Sequence, residues 1–168
     1  IDHGNKLTKT EHRIFSSGLS ISSEKPPFGT SILKFKENYY TVSDTRRITY
    51  QRNKAKTEDF FILTLFAVTD ELDRNGYFGL VEHLQLAVGL PPSHFKELYK
   101  EFEAYFSNRG LIEFKIDSKV YRVWIDSARA YPQAFSALTT IHSQVKSEPK
   151  VTILDIGGHT LDYLEVNK

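Results

Sequence analysis

Two short segments carry the residue types from which a phosphate site is built. The first is Asp2-His3-Gly4-Asn5-Lys6-Leu7-Thr8-Lys9, and the second is Asp155-Ile156-Gly157-Gly158-His159-Thr160-Leu161-Asp162. In each, a carboxylate ends or follows an apolar strand, and glycine allows a tight turn that presents backbone N–H groups outward. Phosphate oxygens take amide donors at close range, and a divalent cation takes hard oxygens nearby. A lone Asp-x-Gly is also an ordinary β-turn, so neither segment decides the matter by itself. A third stretch, Ala130-Tyr131-Pro132-Gln133, stands before an apolar helical pattern, with Gln133 lying 22 residues before Asp155. Read alone, Gln133 is an ordinary first-turn helix residue with a solvent-facing amide.

The elements that must position these groups follow from period and punctuation. Ile14 to Ile21 and Ser31 to Val42 alternate as strands, separated by a loop containing Pro26-Pro27 and Gly29. Thr57 reads as an N-cap, because Glu58 and Asp59 complement the positive helix end and a broad apolar face runs on from Phe60 to a stop at Asn75-Gly76. Leu80 to Val88 is a strand closed by Gly89-Leu90-Pro91-Pro92. A helix from Ser93 to Ser107 turns Phe95, Leu98, Tyr99, Phe102 and Phe106 to one side. Leu111 to Asp117 and Val120 to Asp126 form a hairpin around Ser118-Lys119. A third helix spans Pro132 to Lys146 with Phe135, Leu138, Ile141 and Val145 inward, and strands Val151 to Ile156 and Thr160 to Val166 close the chain. The interleaving is mixed α/β, with Ile14 to Ile21, Ser31 to Val42, Leu80 to Val88, Val151 to Ile156 and a strand at Ile1 expected to make a five-stranded mixed sheet flanked by helices, and with the Leu111 to Asp126 hairpin either extending that sheet or joining a small inserted subdomain.

Composition bounds the rest. The chain has 168 residues, 40% hydrophobic and 26% charged, enough for one domain with a real core. Lys+Arg 22 against Asp+Glu 21 leaves a net charge of +1, so no global field draws it to nucleic acid or an acidic membrane. The absence of cysteine removes disulfides, thiolate metal sites and cysteine nucleophiles. No apolar run reaches the length of a spanning helix, and the chain reads as soluble and cytoplasmic with no membrane partner. Because it opens on Ile1-Asp2, it reads as a fragment beginning inside an element. Arg46, Arg47, Arg52, Lys54 and Lys56 form a basic run that reads as a solvated face rather than a DNA contact, and His12, His83, His94 and His142 lack metal-ligand spacing.

Taken together and in this order, the two turns and Pro132-Gln133 resemble the phosphate loops and water-positioning residue of the actin, sugar-kinase and heat-shock-chaperone ATPase superfamily. They are most similar to bacterial actin-like proteins of the plasmid-segregating ParM type. Gly89-Leu90-Pro91, where those proteins often read Val-Gly-Leu-Pro, adds to the likeness. The resemblance implies an RNase-H-like actin-type domain I, with its core in residues 1–22 and 57–168, a small inserted subdomain in about 23–56, and domain II lying beyond this chain. It implies ATP and Mg²⁺ as ligand and cofactor. Asp2 and Asp155 would face the metal. Gly4, Asn5, Lys6, Lys9, Gly157, Gly158, His159 and Thr160 would hold the phosphates, while Gln133 together with Asp155 would serve hydrolysis. Asn5 stands where actin has serine, and His159 fills a slot usually small or hydroxylated; a solvated turn histidine is its other reading. The partners implied are further copies in a filament and a DNA-bound adaptor, with no direct DNA binding by this chain and an inactive isolated fragment. A sugar-type kinase would need a catalytic aspartate at position 133, and a non-catalytic interaction module with the same fold is the other alternative.

Overall fold

The computed structural model describes every residue except Thr30, 158–160 and Lys168. The chain opens as an antiparallel meander of β1 (Asp2–His3), β2 (Leu7–Lys9) and β3 (Ile14–Ser16), with Asp2 opposite Lys9 and His3 opposite Thr8. The seven-residue spacing of Asp2 and Lys9 is therefore the closure of a hairpin, which makes them cross-strand neighbours.

The expected strand Ile14 to Ile21 breaks at Ser17. Gly18 begins β4 (Gly18–Ser22), and a Cβ there would lie 2.0 Å from the Ser43 carbonyl oxygen and 2.4 Å from that of Arg46. Only glycine admits that approach, and the chain uses it to leave one sheet and enter another. Ser31 to Val42 is likewise a hairpin, β5 (Leu33–Phe35) and β6 (Asn38–Arg47), reversed at Lys36 in a left-handed conformation with φ of 53°. Residues 33–47, within the stretch read as an insertion, thus pair into the largest sheet.

A single 3-10 turn (Lys54–Lys56) leads into α1 (Asp59–Arg74), the central helix, buried on nearly every side from Phe60 to Thr69. Thr57 is not its N-cap. The capping residue is Glu58, without a side-chain cap, and the Thr57 hydroxyl is buried unpartnered. The cap comes from another helix: Tyr105 donates its hydroxyl to the Thr57 carbonyl (2.7 Å) and accepts from the Phe61 N–H (2.8 Å). One of the orphan donors of the first turn is thereby satisfied from afar.

The chain continues through β7 (Val81–Leu90), α2 (Pro92–Ser107), β8 (Leu111–Ile116), β9 (Lys119–Pro132), α3 (Phe135–Val145), β10 (Lys150–Ile156) and β11 (Leu161–Asn167). The largest sheet has six strands in the order β4-β6-β5-β8-β9-β7, and β7 runs parallel to β9 while every other pair is antiparallel. The first meander lies against β7 through the Gly89 N–H, which donates to the Ile1 carbonyl at 3.3 Å. The core is α1 packed with Phe102 and Phe106 of α2 and with Tyr121, Val123 and Ile125 of β9.

The expected five-stranded sheet is thus corrected in its membership. Among the described residues Val151 to Ile156 pairs with β11 in a separate two-stranded sheet and the strand beside Ile1 belongs to the first meander, while the Leu111 to Asp126 hairpin extends the main sheet as β8 and β9, the first of its two expected placements. The third helix starts at Phe135 rather than Pro132, because β9 stays paired to β7 as far as Leu90 opposite Pro132. Of its expected inward residues Leu138 is buried, while Phe135 and Ile141 are each 39% exposed.

Candidate functional site

The Asp2–Lys9 turn, the ends of β7 and β9, and the end of β10 converge on one cleft of about 250 Å³. Asp2, Gly4, Asn5, Lys6 and Lys9 line it from the first turn, Pro91 and Gln133 from the strand ends, and Asp155 and Gly157 from the second. All the described site residues read from the sequence therefore meet in one place. Gly158, His159 and Thr160 lie outside the described residues. An adjoining hollow of about 720 Å³ shares Asp2, Lys9 and Gln133.

The first turn is held by local chemistry. A Cβ on Gly4 would lie 2.7 Å from the Leu7 carbonyl oxygen, so glycine is required for its tightness. Ser17, 1% exposed, straps the turn from outside: its hydroxyl donates to the Gly4 carbonyl at 2.6 Å and meets the Thr8 hydroxyl at 2.9 Å, and its N–H donates to the Lys6 carbonyl at 3.0 Å. Buried polar groups so fully paired fix the backbone. Ser17 escaped the sequence reading because nothing local distinguishes it from any serine at a strand end.

Gln133 stands just beyond β9 and not in the first turn of α3. Its N–H donates to the Leu90 carbonyl at 2.7 Å, and its amide Nε2 donates to Asp2 Oδ1 at 2.7 Å. A carboxylate only accepts, so the donor end of the amide faces Asp2 and the acceptor oxygen Oε1 remains for another group. Gly89 makes room for this arrangement, since a Cβ there would come within 3.0 Å of Gln133 Cγ and 3.5 Å of Asp2 Oδ1. Lys9 Nζ lies 3.5 Å from the other Asp2 oxygen, both side chains being substantially exposed. Such a pair contributes little to stability and leaves the ammonium free to turn to an anion.

Two charged lining residues, Asp162 and Lys54, were not assigned to the site from the sequence. Asp162 faces Asp155 directly across β10 and β11, repeating the seven-residue closure of Asp2 and Lys9. The self-similarity of the two segments was the signal that could have found it. Lys54, read as part of a solvated basic face, is instead 2% exposed and lines the cleft. It donates to the His3 carbonyl and lies 5.3 Å from the Phe60 ring centroid. Burial lowers its pKa to about 8, against the opposing pull of Asp2 and Asp162. His3 behind it is fully buried, its Nε2 paired with the Thr64 hydroxyl at 2.7 Å, and burial followed by the Lys54 charge holds its pKa well below 6.5, so the ring is neutral. Arg52 and Lys56 of the same run turn outward: Arg52 pairs with Glu97 at 2.5 Å and Lys56 with Glu101 at 3.4 Å, both partners lying on α2.

Among the described residues no group of three or more His, Cys, Asp or Glu side chains is gathered to hold a metal alone. The donor set still fits Mg²⁺ in its usual mode, with one or two carboxylates, here Asp2 and Asp155, and the remaining positions filled by phosphate and water.

A family model described as the N-terminal domain of actin-like proteins matches residues 1–135. The chain belongs to the actin-like proteins. Solved structures share the fold of this actin-like chain at low identity. A filament of AlfA bound to AMPPNP superposes with a TM-score of 0.68 at 16% identity, covering 99% of this chain and 63% of that one. Ta0583, an archaeal actin homolog in complex with ADP, gives 0.73 at 16% identity, covering 98% and 53%. The apo psk41 ParM protein gives 0.72 at 13% identity, covering 99% and 60%. The actin-like chain thus spans between about half and two thirds of the length of these proteins. No curated protein matches it by sequence.

Proposed function

We propose that this cleft binds Mg-ATP and that the intact protein, acting in the cytoplasm, hydrolyses it and polymerises into filaments under the control of the bound nucleotide. The observation that carries the reading is the convergence of the Gly4 turn, Gln133, Asp155 and Gly157 on one cleft, in a fold whose solved relatives include one bound to AMPPNP and one to ADP.

The amides of the Gly4–Lys6 turn and of Gly157 would take the phosphate oxygens, with Lys9 leaving its loose pairing to Asp2 to offset their charge. Gly158, His159 and Thr160 complete the second turn in the sequence. Mg²⁺, held near Asp2 and Asp155, would neutralise charge on the β- and γ-phosphates. Gln133, anchored through Nε2 to Asp2, would present Oε1 to the attacking water and orient it; an amide is too weak a base to take its proton, so the role is positioning. The filament would move DNA through a DNA-bound adaptor. The acidic partners of Arg52 and Lys56 favour contact through that adaptor over direct contact by this chain.

The test is pelleting and light scattering of the full-length protein with ATP, GTP and ADP, together with phosphate release. Nucleotide-dependent assembly with turnover supports the reading, and Asp155→Ala should then weaken Mg-nucleotide binding itself. Assembly indifferent to nucleotide, with no release of phosphate, overturns it.

A further inference from the structure

Of the three lysines in the described lining of the cleft, Lys54 is the one that the fold has already dried and fixed. It arrives from the 3-10 turn between β6 and α1, a stretch pinned to α2 on its outer side by Arg52 with Glu97 and by Asn53 and Lys56 with Glu101. Those three side chains point away while Lys54 points in, between the His3 carbonyl and the Phe60 ring. Burying an ammonium costs free energy unless it is compensated, and apolar residues of similar volume fill such space at least as well. The groups that face it are Asp2 on β1, Asp162 on β11, and behind it the neutral ring of His3. The described lining carries three carboxylates, Asp2, Asp155 and Asp162, and three ammonium groups, Lys6, Lys9 and Lys54. Lys54 therefore supplies one of the three positive charges of that described lining.

We propose that Lys54 is a third cationic contact for the polyphosphate chain, delivered by the 52–56 turn and held ready before the ligand arrives. The assignment rests on the nucleotide reading above and adds to it a residue from outside both glycine turns. The side chain of Lys9 is 47% exposed and must be ordered on binding, whereas Lys54 has no such entropy left to lose. A fixed ammonium in a partly dehydrated wall also acts through a lower effective dielectric than one in water. Its pKa of about 8 leaves it charged at neutral pH. The contact depends on phosphate charge and not on the base, so it should discriminate among ligands by phosphate number.

The experiment is calorimetric titration of the full-length protein, and of its Lys54→Met and Lys96→Gln variants, with Mg-ATP, Mg-tripolyphosphate and adenosine, each protein's thermal midpoint being recorded without ligand. Losing one charge-assisted contact should weaken ATP and tripolyphosphate about 10- to 100-fold in Lys54→Met while leaving adenosine unchanged. Lys96→Gln, at an exposed lysine of α2, should match wild type throughout. Equal loss for adenosine and tripolyphosphate, or no loss for either, overturns the assignment and leaves the nucleotide reading standing. Failure of wild type to bind ATP or tripolyphosphate overturns both. Should Lys54→Met not fold, the ¹⁵N signal of the Lys54 ammonium in wild type serves instead. Movement on adding Mg-tripolyphosphate supports the contact, and an unmoved signal beside a shifted Lys9 refutes it.

Discussion

The buried ammonium of Lys54 should write itself into the dependence of stability on pH. Its pKa is lowered from 10.5 to about 8, chiefly by burial, with Asp2 and Asp162 pulling the other way. Between those values the unfolded chain holds the proton and the folded one has released it, so stability must rise with pH in that window. Conversely, the stabilisation is complete above the unfolded value and is lost as pH falls towards about 8. A gap of roughly 2.5 corresponds to about 3 kcal/mol across the full window, as an order of magnitude. Tyrosines close the window early. Burial raises Tyr105 and Tyr121 well above 10, so unfolded tyrosines ionise first and stability falls again beyond about pH 10. The expected profile is a rise of about 2 kcal/mol from pH 8 to 10 followed by a decline. In Lys54→Met the rise should vanish and the decline remain. The measurement is urea unfolding by far-UV circular dichroism at closely spaced pH values in a metal chelator. A flat wild-type profile between pH 8 and 10, or the same rise in Lys54→Met, would refute the reasoning.

Three further outcomes follow from the site. Gln133→Ala removes the acceptor for water and one partner of Asp2, and should slow hydrolysis by a factor of about 10 to 1,000 with nucleotide affinity nearly kept; single-turnover kinetics would show it, and wild-type turnover would end the assigned role. Gly89→Ala places a methyl 3.0 Å from Gln133 Cγ, so turnover should fall about 10-fold while the thermal midpoint changes little, because a stiffer unfolded chain offsets part of the strain. Ser17→Ala leaves the Gly4 carbonyl and Thr8 hydroxyl short of a partner and should cost about 1–3 kcal/mol in unfolding free energy, with faster amide exchange in the Gly4–Leu7 turn. Unchanged exchange there would mean that the turn is held without the strap.

Local patterns in the sequence revealed what is local in the structure. α2 begins within a residue of its expected start because Pro92 and the Phe95-to-Phe106 stripe announce it, and α1 ends where Asn75-Gly76 says it should. The first turn was legible since it joins a carboxylate, glycine and a strand, and the meeting of its residues with Asp155 and Gly157 in one cleft was legible through the family likeness. What escaped was set by contacts across the chain. The reversal at Lys36 uses neither glycine nor proline, so alternation seemed to run straight through it. Pro132 and Gln133 looked like a helix start until pairing with β7 claimed them. Lys54 looked solvated because its neighbours Arg52 and Lys56 are, and only the turn separating them sends it inward.

The hydroxyl of Tyr105 bonds to Thr57 and Phe61 across 48 and 44 residues, which makes the start of the central helix a reporter of assembly. With no capping side chain of its own, the first turn of α1 keeps its Phe61 amide sheltered only while α2 is seated. Exchange of that one proton therefore times the parting of the two helices, and with it any loosening of the 52–56 turn that feeds the cleft, since that turn is fastened to the same helix.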